Sequence, residues 1–230
     1  MDNLEFINAL KELNIIVTEE KLEKLNQYYE LLIEWNEKIN LTAITSKKEV
    51  YLKHFYDSLT LNKIIDLSKV TSLADVGTGA GFPGLVLKIF FPEIHITLID
   101  SLNKRIEFLK IVIEKLNLDN IEVINKRVEE IKTREKYEVV TARAVANLHI
   151  LLELLTPISS KYIVLMKGEA KEELLNTNRL YQELNLKLIE IKDFLLPIEN
   201  SNRTLIKYEK LKPTNIKYPR NFGTIKKHPL

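Results

Sequence analysis

The run Asp75-Val76-Gly77-Thr78-Gly79-Ala80-Gly81-Phe82-Pro83-Gly84 stands between an apolar segment and a helical one. Glycines at this spacing permit a tight turn and let a ligand approach the backbone closely, while the helix behind them offers free N–H groups and a partial positive charge. Such a turn can hold a nucleotide-like cofactor. A second capable group, Asp100 in Ile99-Asp100-Ser101, follows about 20 residues later, the spacing at which a carboxylate meets ribose hydroxyls. The competing reading is that Asp100 only caps a helix starting near Asn103.

Residues 79–84 match G-x-G-x-x-G literally, so a nicotinamide dinucleotide, and with it an oxidoreductase, is one candidate. Two residues argue otherwise. Asp75, two positions before the first glycine, would repel a pyrophosphate but could accept a hydrogen bond from the ammonium group of a methionine moiety. Pro83 interrupts the helix start that should cradle phosphate. S-adenosylmethionine suits both observations. Within Lys126-Arg127-Val128-Glu129-Glu130, Val128 then offers an apolar face to adenine and a neighbouring acid or backbone group its edge; the alternative there is a solvated charge run.

Methyl transfer from a sulfonium to a nitrogen lone pair is an in-line displacement, and an acceptor whose lone pair is free needs alignment more than a base. Exocyclic amine acceptors call for a polar-Pro-Pro-aromatic motif after the fourth strand, where this chain has Thr141-Ala142-Arg143-Ala144-Val145. Carbon-5 methylation of cytosine commonly uses a cysteine nucleophile, and the chain has no cysteine. The residues therefore point to a ring nitrogen or another acceptor that requires no base, with no catalytic acid or base assigned. Arg143, at the carboxyl end of its strand, could hold a carboxylate, a phosphate or guanine O6, or form a structural salt bridge.

The elements that must position these groups follow from the patterning. Up to about residue 66 the chain reads as helical: Leu22, Leu25, Tyr29, Leu32, Ile33 and Ile39 recur at helical spacing, and Ser46 to Glu49 has capping-box form. Tyr51, Phe55 and Tyr56 could stack on bases, but their spacing fits a core more simply. From Thr71, short apolar runs alternate with amphipathic stretches, as in βα units on a mostly parallel sheet. Strands are expected near 72–76, 94–100, 121–125, 137–143, 161–167, 187–194 and 204–209, with helices over 84–91, 103–117, 147–156 and 169–184. The last two strands should form an antiparallel hairpin at one edge, and the tail from Lys212 to Leu230 should be irregular. The expected fold is thus α/β and Rossmann-like, a mostly parallel seven-stranded sheet at residues 67–230 with an N-terminal helical cap at residues 1–66.

Composition narrows the class further. The 230 residues, 45% apolar, suffice for one main core with a small appended lobe. With 34 Lys and Arg against 32 Asp and Glu, the net charge of +2 gives no bulk footprint for nucleic acid, so an RNA-binding surface would have to arise from local clusters. Lys47, Lys48, Lys53, His54, Lys167, Arg220, Lys226, Lys227 and His228 are the candidates. Without cysteine, disulfides and thiolate zinc sites are excluded, and no metal site is expected. A polar, acidic start and the lack of a long apolar run lead to the expectation of a soluble, cytoplasmic protein with no membrane partner, and it is expected to be a monomer.

Several separated motifs resemble one family. Trp35-Asn36-Glu37-Lys38-Ile39-Asn40-Leu41-Thr42, His54-Phe55-Tyr56-Asp57-Ser58-Leu59, Asp75 to Gly84, Thr141-Ala142-Arg143-Ala144 and the Arg220 to Leu230 ending are together similar to the RsmG (GidB) family, from about residue 20 onward. The resemblance implies a class I S-adenosylmethionine-dependent enzyme that methylates N7 of a guanosine in 16S rRNA, acting on that RNA or on the small subunit. It also implies cofactor contacts at Gly77, Phe82, Asp100, Ser101, Val128, Glu129 and Arg143. Besides the oxidoreductase, the rival reading is a non-catalytic rRNA-binding assembly factor, against which the intact glycine turn and Asp100 argue.

Overall fold

A computed structural model of the chain describes every residue except Ala144 and Asn176. Two expectations touch those positions: the last residue of the Thr141 to Ala144 match, and one residue inside the helix expected over 169–184, lie outside the described residues.

The N-terminal segment opens with α1 (Asn3–Glu12), capped reciprocally by Asp2 and Glu5. Next comes α2 (Glu19–Ile39), which starts at Thr18, whose hydroxyl accepts from the Lys21 N–H, and stops at Asn40 in the left-handed conformation, φ 49°. Its buried side is Leu25, Tyr28 and Leu32; Tyr29, read from the sequence as core, lies at the margin and donates to the Thr45 carbonyl. A short turn, α3 (Lys47–Glu49), is capped by Ser46. The chain then widens into a π-helical stretch, Val50–Tyr56, and tightens again in α4 (Asp57–Leu59). Tyr51, Phe55 and Tyr56 are buried, so they serve the core.

Seven strands form one sheet: β1 (Ser72–Val76), β2 (His95–Asp100), β3 (Ile121–Asn125), β4 (Tyr137–Arg143), β5 (Ser159–Lys167), β6 (Leu186–Leu195) and β7 (Asn202–Lys210). Their order is β3-β2-β1-β4-β5-β7-β6. The first five are parallel, and β7 runs antiparallel to both neighbours. The expected hairpin is present, with the last strand inserted between β5 and β6. Because the order reverses at β1 and β4, the crevice above their carboxyl ends is the natural ligand site of such a sheet.

Alternation along the strands divides the core in two. Leu73, Leu98, Val139, Val164 and Leu205 face the side covered by α1, α2, α5 (Gly84–Phe90) and α6 (Asn103–Lys115). Ala74, Ile99, Val140, Leu165 and Ile206 face α7 (Leu148–Leu155), α8 (Asn178–Leu184) and α9 (Phe222–Lys227). The N-terminal helices therefore share one core with α5 and α6.

Two expectations need correction. The helix foreseen over 169–184 is confined to α8: Lys171–Leu175 forms turns, because the Glu173 carboxylate is drawn in by the Leu148 N–H and the Lys167 ammonium, both at 2.6 Å. The tail is not wholly irregular either. Its six residues of α9 carry too little periodicity to announce a helix, and packing of the fully buried Ile225 supplies what propensity does not. No helix among the described residues is long and apolar enough to cross a membrane.

Candidate functional site

Above the carboxyl ends of β1, β4 and β5 lies a cavity of about 590 Å³, within the range of small-molecule sites. One wall is the glycine turn. Gly77, Gly79 and Gly81 have φ of 69°, 60° and 98°, conformations that L side chains rarely adopt. A β-carbon on Gly79 would meet nothing closer than 4.0 Å, so the turn shows bare backbone to the cavity.

Asp75 is fully buried beneath this turn, and its Oδ2 accepts from the Thr78 hydroxyl at 2.6 Å and the Gly84 N–H at 2.8 Å. It ties both ends of the turn together rather than facing a ligand. Its Oδ1 has no hydrogen-bond partner among the described residues, and burial raises its pKa to about 6 despite those two bonds. The arrangement also weighs against a dinucleotide, since Asp75 occupies the Gly84 N–H that a pyrophosphate would need.

Asp100 is almost entirely buried at the end of β2. Its Oδ2 accepts from the Gly79 N–H at 3.0 Å and from Arg105 at 3.2 Å, and its Oδ1 from the Leu102 N–H at 3.0 Å. It shapes the turn leading into α6 without capping that helix, whose N-cap is Leu102 with no side-chain cap, and it reaches across to the glycine turn. A carboxylate offers about four lone-pair sites, so Oδ1 retains acceptor capacity.

The opposite wall comes from the N-terminal segment. The π-helical stretch brings His54 over Phe82, stacked at 4.5 Å with 17° between planes. Arg143 also lies over the Phe82 ring, its guanidinium carbon 5.2 Å from the centre. Its Nη1 donates to the Lys53 carbonyl at 2.9 Å and to Asp57 Oδ2 at 3.0 Å, and its Nη2 to His54 Nδ1 at 3.2 Å. Arginine can only donate, so Nδ1 accepts and the ring proton sits on Nε2, directed at the Thr42 hydroxyl 2.9 Å away. Burial and the neighbouring Arg143 hold His54 neutral, with its pKa lowered to about 3. From β7, Arg203 donates through Nε to Asp57 Oδ1 at 3.0 Å. One carboxylate therefore receives two guanidinium groups.

The cavity thus unites Gly77, Phe82 and Arg143, and Asp100 adjoins it through Gly79 and Arg105. Ser101, Val128 and Glu129 lie beyond its lining, at the ends of β2 and β3. Val128 is buried with Val76 and Ile99. Sequence reasoning missed Tyr28, Asp57 and Arg203 as members of this region; Asp57 stood inside a quoted motif, whereas Arg203 had no local signal. Of the basic candidates for RNA, Lys53 is shared by Glu49 and Glu199, Lys167 is held by Glu173 and the Ala146 carbonyl, Arg220 is bidentate on the buried Glu153, and Lys47 donates to Asn26. Lys48, Lys226, Lys227 and His228 are exposed.

A family model described as rRNA small subunit methyltransferase G (GidB) matches residues 21–202. The ribosomal RNA small subunit methyltransferase G of Lysinibacillus sphaericus is 46% identical over 237 residues, covering 100% of both chains. The protein of that name from Bacillus subtilis is 46% identical over 233 residues, covering 98% of each. Among solved structures, a SAM dependent methyltransferase from Aquifex aeolicus superposes with a TM-score of 0.57 at 16% identity, covering 75% of this chain and 97% of that one. M. jannaschii TYW2 in complex with AdoMet gives 0.52 at 14% identity, covering 67% and 77%. At such identities the structural matches establish the fold.

Proposed function

The chain belongs to the rRNA small subunit methyltransferase G family, and from that premise we propose that it methylates N7 of a guanosine in 16S rRNA. It is an S-adenosylmethionine-dependent methyltransferase of small-subunit rRNA. The observation that carries the choice of acceptor is that the cavity's candidate bases are already engaged. His54 Nδ1 accepts from Arg143, both Asp57 oxygens accept from arginines, Glu173 is held by Lys167 and the Leu148 N–H, and Glu169, at the exposed rim, accepts from Asn202. An acceptor nitrogen with a free lone pair suits such a site because it has no proton to lose.

The residues present fit the cofactor: the open face of Gly79, the remaining acceptor capacity of Asp100 and the cavity volume all accommodate a nucleoside with a polar tail. In this reading Asp100 and Ser101 hold the ribose, Val128 and Glu129 the adenine, and the Gly77 backbone and Phe82 the methionine end. When bound, S-adenosylmethionine supplies a sulfonium methyl group, whose C–S bond breaks as the N–C bond to the acceptor forms. Arg143, fixed by Asp57, His54 and the Lys53 carbonyl, faces the junction of cofactor and guanine, and Phe82, stacked against His54, limits water there. We read residues 1–66 as a cap and 67–230 as the cofactor domain, because the glycine turn, Asp100 and Arg143 all fall in the latter. The rRNA substrate supports a cytoplasmic setting, and a site assembled within one chain supports action as a monomer.

The test is transfer of labelled methyl from S-adenosylmethionine to small ribosomal subunits lacking their own guanine-N7 mark, followed by nucleoside analysis. Labelled 7-methylguanosine at one site is the expected product; label in another nucleoside would overturn the acceptor assignment.

A further inference from the structure

The charges around the cavity are grouped with partners, and in one group the cations outnumber the carboxylates. Lys53 has Glu49 and Glu199, Arg105 has Asp100, and Lys167 has Glu173. Arg143 and Arg203 share the single carboxylate of Asp57, at 3.0 Å each. Glu169, the remaining acid of the lining, is exposed at the rim and accepts from Asn202 at 2.6 Å, where solvent screens it. The Arg143–Asp57–Arg203 group therefore carries one positive charge in excess. All three side chains are largely buried: the side-chain exposures are 15%, 7% and 22%. The Asp75 carboxylate acts on Arg143 from a distance, its hydrogen bonds going to Thr78 and Gly84, and leaves Arg203 with only its share of Asp57, so an anion beside Arg203 is favoured.

The sheet register says from which side that anion comes. Arg143 pairs with Met166 on β5, and Met166 pairs with Leu205 on β7. Arg203 thus stands two strands from Arg143 and three from the glycine turn on β1, about 10 and 14 Å at ordinary strand spacing. The groups read as holding the cofactor, the Gly77 turn and Asp100, lie on β1 and β2. Arg203 is on the far side, where an acceptor nucleotide has to enter. Its Nε and Nη1 are bonded to Asp57, the Asn202 carbonyl and Ser201, which fixes the plane of the guanidinium.

Resting on the reading of the site as an rRNA methyltransferase, we propose that Arg203, held by Asp57 beside Arg143, is an anion subsite that receives a backbone phosphate of the RNA strand presenting the target base. With Nε and Nη1 engaged, Nη2 of Arg203 is left to donate a charge-assisted hydrogen bond to a phosphate oxygen, and a phosphate there would restore the charge balance of the cluster. The same oxygen-anion chemistry exists in the methionine carboxylate of the cofactor, and the experiment separates the two sources.

Arg203→Gln and Arg203→Lys would be compared with the native chain for binding of small ribosomal subunits across a salt series and for binding of S-adenosylmethionine by calorimetry. The expected result for Arg203→Gln is about tenfold weaker subunit binding, the loss of one charge-assisted contact, with cofactor affinity unchanged. The slope of log affinity against log salt should fall by about 0.7, the value of one single-strand phosphate contact, and Arg203→Lys should restore that slope. Weakened cofactor binding in both variants would assign the anion to the cofactor and overturn the proposal. So would unchanged subunit affinity and slope with a lower methylation rate, which would leave Arg203 only a prop for Asp57. Failure of the function itself would show separately, as absence of 7-methylguanosine with the native chain.

Discussion

The Tyr28 hydroxyl donates to the carbonyl of Ala80, so a helix of the N-terminal segment grips the glycine turn by its backbone. Its ring packs in a triangular cluster with Phe55 at 5.4 Å and Phe82 at 5.5 Å, themselves 6.1 Å apart, and it is completely buried. Tyr28→Phe keeps the stack and leaves the Ala80 carbonyl without its donor, at a cost of about 1–3 kcal/mol. Urea unfolding should show that loss, and calorimetry should show weaker cofactor binding because the turn is less well held. Native values for both would remove the grip from the account.

Asp100 joins β2 to the glycine turn, and its side chain should matter beyond stability. Replacing it with Ala deletes a buried charged acceptor and should weaken S-adenosylmethionine binding by about 1–3 kcal/mol. Calorimetric titration measures this directly; an unaltered dissociation constant would exclude a ribose role.

Asp75 makes stability depend on pH in an unusual direction. Its folded pKa, about 6, lies above the ordinary aspartate value because burial disfavours the charge. The stabilisation it gives is complete below about pH 4 and disappears as pH rises through 6. Asp75→Asn lacks this titration, so the deficit of the variant relative to the native chain should be larger at pH 4 than at pH 7.5, by about 2–3 kcal/mol. Denaturant unfolding of both chains at the two pH values tests it, and an equal deficit at both would refute it.

Gly79 and Gly81 share a positive φ, but 60° at Gly79 falls in the left-handed region, where alanine bears about 1–2 kcal/mol of strain, whereas 98° at Gly81 lies beyond it. They differ in space as well: a β-carbon at Gly81 would lie 2.3 Å from Leu85 Cδ1 and 2.8 Å from the Tyr28 hydroxyl, whereas that at Gly79 faces the cavity. Gly81→Ala should therefore be less stable than Gly79→Ala by about 1–3 kcal/mol of overpacking. Gly79→Ala should show its main loss in cofactor affinity. Equal melting temperatures for the two variants would contradict this division.

The sheet was legible because its strands are short apolar runs with their own boundaries, such as Ser72–Val76 and Ile121–Asn125, which reappear unchanged. The glycine turn and Asp100 were legible because their chemistry is written in consecutive residues at a fixed spacing. Arg203 and Asp57 were not: they are 146 positions apart, and nothing near Arg203 distinguishes it from a solvated arginine until β7 is placed beside β5. Tyr28 was hidden for another reason. Adjacent tyrosines at 28 and 29 fit a helical stripe equally well, and only the position of Ala80 selects the inner one.

β7 is the last strand to be made, yet it lies inside the sheet. Until residues 202–210 dock, the hydrogen-bonding edge of β5 stays open, a template for pairing with other chains. Arg203 arrives with that strand, so the second guanidinium reaches Asp57 only when the β6–β7 hairpin closes onto β5. Such long-range closure is slow compared with local helix and hairpin formation. A nascent chain can thus fold its glycine turn early and still lack the far wall of the site, which makes completion of the sheet the step that turns a cofactor-binding fold into one shaped for its acceptor.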